Sequence, residues 1–365
     1  MKFKYVSQKK YNYFIFGNDN KNFFKSSLED YYIYKISDKY IFLNLKIIIL
    51  FIFNIPIYLS IKKAYLISLI ISKTKKIVLT LEDNNVNFSF CVKNLKSRFR
   101  FIAFQNGVRY DLKNLTDKNL LKDYYFTEYA GFGKYEKQLF KELKIPFIKY
   151  HCIGSLSAKK AHSEFKNTAS ENLNKYDICI VSECFDGYEN QYPGIDQSIG
   201  MILKYTKKFA TKENLKVCIA MKYNKNVKII KTGRLEKDYI NDFINTDGID
   251  LIYRDDNKYN SYFASFRSSV TIGMVSSLLI ETLSLNNKIM ICDYFGNPWT
   301  LDHESGFVLS RKNYDSFERK ISYILSLSNN QYNEKFKSSI NYLSSPNYDT
   351  VEQSIYRVIN LNLSV

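Results

Sequence analysis

The sequence predicts an α/β protein of two lobes, each a mainly parallel sheet flanked by helices, with a cleft between them and a C-terminal helix. Three observations predict it. From Ile57 onward, short β-rich runs alternate with segments of helical period, the pattern of strands joined by crossover helices. A polar stretch, SAKKAHSEFKNTASENLNK at 157–175, interrupts the alternation once, and it then restarts. The length of 365 residues is enough for two such lobes.

The elements follow in chain order. The first 50 or so residues carry little pattern. From Ile47 to Ile61, 15 residues run without a charge, then Lys62-Lys63, then AYLISLIIS. A membrane-crossing helix needs about 20 apolar residues, and this run holds Asn54 and Pro56. A buried helix pair leading into a sheet is the first reading, and insertion into a bilayer interface is the second. KIVLTL (76–81) reads as a buried strand, VNFSFCVKNLKS as a helix, FRFIAF (99–104) as a strand and YYFTEY (124–129) as another. KYEKQLFKEL is a helix, and IKYHCIG a strand ending at Gly154.

After the polar stretch come YDICIVSE as a strand, 196–211 as a helix, LKVCIAM as a strand, RLEKDYINDFI as a helix and DLIY as a strand. NSYFASF is a short helix, SVTIG a strand, SLLIETLSL a helix, KIMICDY a strand and YDSFERKISYILSL a helix. TVEQSIYRVINL closes the chain at helical spacing. The expected division is a Rossmann-like domain at 1–160, a linker at 161–175, a second Rossmann-like domain at 176–345 and a C-terminal helix at 346–365.

Composition narrows the partners. Lys+Arg number 53 against 36 Asp+Glu, a formal charge of +17. Only nine of the basic residues are Arg and they are dispersed. Lys, Asn, Ile, Tyr and Phe all have AT-rich codons, so genome drift explains much of the Lys. No nucleic-acid partner is expected from that footprint. Six Cys without a CxxC pair suit a reducing cytosol. No signal-peptide pattern is seen, and the expected location is cytoplasmic, with peripheral contact to the inner face of the membrane as an option. The three His have no zinc spacing, so no metal site is expected, and there is no P-loop or GxSxG motif.

In open α/β sheets, ligands meet the loops after strands. After KIVLTL stand Glu82 and Asp83 with two Asn; they supply a general base or sugar-hydroxyl contacts, or simply cap the next helix. After FRFIAF stand Gln105, Asn106, Gly107 and Arg109, with Arg109 suited to a phosphate or carboxylate. SVTIG ends at Gly273, and after it Ser276 and Ser277 open a helix that carries Glu281. Free N–H groups and hydroxyls there suit a phosphate, with Glu281 a turn deeper for a ribose. An ordinary Ser N-cap is the plainer alternative. Glu183 and Lys222 follow two further strands of the second half, where Lys222 suits a nucleotide phosphate.

TLEDNNVNF, FIAFQNGVRYD, GKYEKQLF, CIGSL and TIGMVSSLLIETLSLNNKIMICD, in that order, resemble the bacterial surface-carbohydrate (lipopolysaccharide and capsule) biosynthesis proteins of GT-B glycosyltransferase architecture. The resemblance spans most of 57–330. It implies a transferase that moves a sugar from a nucleotide-activated donor, such as a CMP-linked acidic sugar of the Kdo kind, to a glycan or lipid-linked glycan. By the same resemblance Ser276 and Ser277 hold the donor phosphate, Glu281 lies near the ribose, and the first lobe takes the acceptor. Where related enzymes carry Lys-x-His-Pro this chain has Met221-Lys222-Tyr223-Asn224, and Asn106-Gly107 replaces the His-Gly of the polyglycerol-phosphate polymerases. With that His missing, Asp83, or Glu82 beside it, becomes the candidate base. No cofactor is implied, since the nucleotide-sugar is a substrate, and a metal is not required. A CDP-polyol-dependent glycerol or ribitol phosphate transferase is the second expectation, and an inactive assembly partner the third.

Overall fold

The computed structural model describes residues 2–19, 22–35, 40–108, 123–168, 175–255, 258–295, 306–346 and 349–361. They fall into two compact units. One comprises Met1–Gly107, Leu112–Leu156 and Asp349–Val365, the other Val108–Asp111 and Ser157–Tyr348.

The strands of the first unit are β1 (Lys2–Tyr5), β2 (Tyr11–Phe16), β3 (Tyr31–Tyr34), β4 (Tyr40–Leu43), β5 (Thr74–Thr80), β6 (Arg100–Phe104), β7 (Glu128–Gly131) and β8 (Lys149–Cys152). β1 and β4 pair by themselves, and the rest form one parallel sheet in the order β3-β2-β5-β6-β7-β8. Its helices are α1 (Phe23–Ser27), α2 (Leu45–Tyr58), α3 (Ile61–Lys73), α4 (Val86–Leu95) and α5 (Tyr135–Glu142). Alternate residues of each strand enter different cores. Phe14, Phe16, Val78, Phe101 and Ala103 pack on one face; Ile15, Ile77, Leu79, Ile102 and Phe104 pack on the other. A parallel sheet buried on both sides requires such near-continuous apolar strands.

The second unit begins within α6 (Leu156–Thr168) and holds β9 (Tyr176–Val181), α7 (Ile195–Glu213), β10 (Val217–Ala220), α8 (Glu236–Asn241), β11 (Asp250–Ile252), α9 (Asn260–Phe266), β12 (Ser268–Gly273), α10 (Ser277–Leu283), β13 (Ile289–Cys292) and β14 (Val308–Leu309). Then come α11 (Tyr314–Ser326), α12 (Asn329–Lys335) and α13 (Lys337–Leu343). The sheet order is β11-β10-β9-β12-β13-β14, all parallel. This is the doubly wound Rossmann order. The chain then closes with α14 (Val351–Asn360), which belongs to the first unit. Its buried residues Val351, Ser354, Ile355, Val358 and Ile359 make one apolar stripe. Each unit is thus a Rossmann-like lobe, as expected.

Four expectations need correction. The alternation begins at Tyr11, because β2 and β3 are sheet strands that the featureless reading of the N-terminus overlooked. The segment 161–175 is not simply a linker: through Thr168 it is helical, and Ala158, Ala161 and Phe165 pack with Phe266 and Leu285. The strand expected at 124–129 lies at Glu128–Gly131. The buried helix pair is buried on one side only: α3 is largely buried, but in α2 the buried residues are Ile47 and Asn54.

The last helix is locked to the sheet by charge. Arg100 donates to both oxygens of Glu128, at 2.5 and 2.7 Å, and to the Val358 and Ile359 carbonyls at the end of α14. His151 Nε2 lies 3.1 Å from Glu128 Oε2. Burial alone would raise the Glu128 carboxyl, but hydrogen bonds from Arg100 and His151 win and hold it down at about 2. Removing one partner of such a buried pair strands the other charge. Arg100→Ala should therefore lower unfolding stability by about 3–5 kcal/mol in urea titrations. Because Glu128 is depressed below its ordinary 4.5, its contribution is full above that value and is lost as the pH falls toward about 2. Arg100→Ala should flatten that acid limb.

Candidate functional site

In each sheet the strand order reverses once, at β2/β5 in the first unit and at β9/β12 in the second. Open α/β sheets bind ligands at such points, outside the strand carboxyl ends. The predicted residues cluster there and in the loops alongside.

At β2/β5, Thr80 Oγ1 donates to the Phe16 carbonyl (2.8 Å) and accepts the Glu82 N–H (2.9 Å). Glu82 reaches across the reversal: Oε1 accepts the Asn18 N–H and Oε2 the Asn85 side-chain amide, both at 3.0 Å. Gly17 permits this, with φ +95° and a position where a Cβ would stand 2.6 Å from Glu82 Cδ. Asn85 caps α4. Both Glu82 oxygens are thus engaged in holding loops. Asp83 is buried, accepts the Tyr129 hydroxyl at 2.6 Å, and lies 3.4 Å from the Asn106 N–H. This bonding orients the carboxylate toward the exposed Asn106.

Gln105 is buried and structural. Its oxygen accepts the Phe132 N–H at 2.7 Å, and its amide donates to the Gly107 carbonyl and to the fully buried Glu136. Burial raises the Tyr150 hydroxyl well above its ordinary value, and the Glu136, Cys152 and Asp83 charges add to that. Asp83, Gln105 and Glu136, following β5, β6 and β7, thus lie in one polar group with Tyr129 of β7 and the half-buried Tyr150 of β8. Arg109 lies outside the described residues.

In the second unit Glu183 dominates the reversal. Its Oε1 accepts the N–H groups of Met274, Val275 and Ser276 at 2.7–2.8 Å. Gly273 leaves the space, since a Cβ there would lie 3.0 Å from that oxygen. Oε2 is buried without a hydrogen-bond partner among the described residues, and Glu183 lines a pocket with Ile180, Ile199, Leu203 and Tyr239. Burial raises its carboxyl to about 7, against the three N–H bonds and the Lys222 charge. A second buried carboxylate, Glu236, accepts the Ser182 hydroxyl and the N–H groups of Lys222 (3.0 Å) and Tyr223 (2.9 Å). It sets the loop from which the exposed Lys222 sends Nζ to the Cys184 carbonyl at 3.2 Å.

Ser276 caps α10, its Oγ accepting from Leu278 N–H at 3.3 Å. Ser277 Oγ accepts the Val108 N–H at 3.1 Å within the same unit. The backbone donors expected to meet a phosphate are therefore held by Glu183, and both hydroxyls remain half-buried at the rim. Glu281 is buried and bound by the Tyr262 hydroxyl at 2.6 Å. The structure thus groups Glu183, Gly273, Ser276 and Lys222, with Ser277 adjoining and Glu281 turned to Tyr262. Among the described residues no group of three or more His, Cys, Asp or Glu could hold a metal ion.

Sequence reasoning missed Glu236, Tyr129, Glu136 and Tyr262. Glu136 and Glu236 stand in charge-rich helices and Tyr129 and Tyr262 in aromatic stretches, so nothing local marks them before their partners are adjacent.

No protein-family model matches the sequence, and no curated protein matches it. Solved structures do match the fold. A glycosyltransferase from Rickettsia africae ESF-5 superposes with TM-score 0.52 at 12% identity, covering 96% of this chain and 97% of that one. The UDP-GlcNAc 2-epimerase of Methanocaldococcus jannaschii, in complex with UDP-GlcNAc and UDP, gives 0.56 at 11% identity, covering 97% and 100%. A variant of the wall teichoic acid polymerase TagF gives 0.53 at 12% identity, covering 98% and 90%. The fold is GT-B-like.

The Glu183 carboxyl provides a direct test. Its folded value of about 7 exceeds the ordinary 4.5, so the native state binds the extra proton between those limits. The stability it contributes is full below 4.5 and is lost as the pH rises to about 7. Glu183→Gln, neutral throughout, should lose that slope. Its stability relative to wild type should rise by up to about 3 kcal/mol from pH 4.5 to 7 in denaturant titrations.

Proposed function

We propose that the protein is a glycosyltransferase, moving a sugar from a nucleotide-activated donor held by the second unit to a surface-glycan acceptor held by the first. One observation carries this reading. At the carboxyl edge of the second sheet the Ser276 and Ser277 hydroxyls, the backbone of 274–276 and the Lys222 ammonium surround a reversal point in a GT-B-like fold. With Glu183 holding the loop N–H groups, phosphate recognition falls to the two hydroxyls and Lys222. Lys222 meets the charge that develops on the leaving nucleotide, and no metal ion is called for. In the first unit Asp83, oriented by Tyr129, takes the acceptor proton beside Asn106 in an inverting reaction. A CMP-linked acidic sugar is the donor we favour.

The likeness to TagF, which was also studied after a soak with CDPG, supports a second reading: transfer of a polyol phosphate from a CDP-linked donor. Both reactions release CMP when the first uses a CMP-linked sugar, so the other product distinguishes them, a glycoside in the first case and a phosphodiester in the second.

Thermal shifts with CMP, CDP, UDP and GDP test the donor site. One nucleotide should stabilise the fold by about 2.7 kcal/mol at one hundred times its Kd, and Lys222→Ala should abolish the shift. No shift with any of them would overturn the reading. Asp83→Asn should leave the nucleotide shift intact and lower turnover by about 10²–10⁴-fold.

A further inference from the structure

The α2 surface carries an inference independent of the nucleotide site. α2 leans on α3 through a narrow stripe. Ile47 and Asn54 are buried, the Asn54 amide donates to Ser68 Oγ at 2.9 Å, and the Tyr58 ring meets Phe90 edge-on at 5.5 Å. Beyond Lys46 in its first turn, the outward side is apolar. Leu45, Ile48, Ile49, Ile52, Phe53 and Ile57 are exposed, Phe53 by 70%, and Leu59 and Ile61 extend the patch through the following turn, Leu59 by 89%.

An ordinary surface helix turns polar residues outward. α14 does so in this chain, with Glu352, Gln353, Arg357 and Asn360 exposed. AT-rich codons explain Ile and Phe, but they explain Lys and Asn equally, and from Ile47 to Ile61 no exposed residue is either. A contiguous patch of this kind marks an interaction surface.

Charge identifies the occupant. Between Asp38 and Glu82 the chain holds seven Lys and no acidic residue. Lys46, Lys62 and Lys63 are exposed at the two ends of the apolar run, and Lys63 Nζ stands 4.8 Å over the Phe90 ring. Two copies meeting through this patch in a two-fold dimer would bring the same Lys cluster against itself. An anionic lipid surface satisfies both features. At about 1.5 Å per residue, 14 residues are shorter than a bilayer core of about 30 Å, and no described helix is long and apolar enough to cross a membrane.

We propose that α2 and the turn Leu59–Ile61 lie in the plane of an anionic bilayer, apolar side chains in the headgroup–acyl boundary and Lys46, Lys62 and Lys63 against the headgroups.

Flotation of the full chain with vesicles tests this. Phosphatidylcholine vesicles containing phosphatidylglycerol should carry the protein up the gradient. Pure phosphatidylcholine should carry several-fold less, and raised salt should reduce the difference. Ile52→Glu with Phe53→Glu should cut partitioning by about tenfold or more, and Lys62→Glu with Lys63→Glu should do so on anionic vesicles alone. Both pairs are exposed, so melting curves should match wild type; Phe53→Ser is the substitute should the first pair fail to fold. Equal flotation of wild type and both double variants would overturn the proposal. So would absent vesicle binding with a dimer in sedimentation that Ile52→Glu and Phe53→Glu dissolve. Nucleotide thermal shifts are unchanged in these variants, so this proposal and the glycosyltransferase reading fail separately.

Discussion

A carboxylate buried where a sheet reverses is the constraint on which the second unit depends. Glu183 leaves β9, crosses to β12 and gathers three consecutive backbone N–H groups onto one oxygen. Those donors precede α10 and have no helical partners of their own. Without an acceptor they would cost on the order of 1–3 kcal/mol each in a buried setting. Glu183 satisfies them together and fixes where α10 begins, and with it Ser276 and Ser277. Gly273 leaves room for the same approach, since a Cβ there would meet the Glu183 oxygen at 3.0 Å. Desolvation makes the arrangement sensitive to proton concentration near pH 7, because the other oxygen has no hydrogen-bond partner among the described residues.

The first unit closes its reversal in the same manner with different parts. Glu82 leaves β5, meets the backbone of the loop after β2, and needs a glycine, Gly17, beside it, at φ +95°. One glutamate per sheet thus ties the two loops that a switch point would otherwise leave apart. One residue along, the buried Asp83 accepts the Tyr129 hydroxyl and lies 3.4 Å from the Asn106 N–H. In the second unit Glu236 holds the backbone of the loop that carries the exposed Lys222. The loops that carry the proposed Asp83 and Lys222 roles are thus held by Glu82 and Glu236.

What could be read from the sequence follows physical range. Strands buried on both faces, such as Lys76–Leu81 and Phe99–Phe104, announce themselves by local composition, and so do amphipathic helices such as α14. β2 and β3 did not, because they are Tyr-rich and the crossover helix between them, α1, has only five residues, too few to show a helical period. α6 was misjudged because its apolar residues, Ala158, Ala161 and Phe165, are few and need Phe266 to form a core. The strand-end residues were located correctly as loops. Their partners were not, since nothing local connects Glu183 to 274–276 or Glu281 to Tyr262. A hydrogen bond across 90 residues is a property of the topology.

The charge of +17 illustrates the same limit from the opposite direction. Composition sets how many Lys the chain has, but placement decides what each one does. Lys288 is buried and donates to the Ile324, Leu325 and Leu327 carbonyls at the end of α11, where a cation complements the helix dipole. Burial lowers its ammonium below the ordinary value, so those carbonyls offset a real desolvation cost. Lys73 is likewise buried and donates to the Ser7 carbonyl. Such residues are structural cations, silent toward any partner. The field that a partner meets comes from the remainder. Its sharpest local contrast is around α2, where Lys stands at both ends of an uncharged exposed face. Genome drift can enrich a chain in Lys uniformly; it does not by itself clear Lys from one exposed helix face and leave it at the two ends.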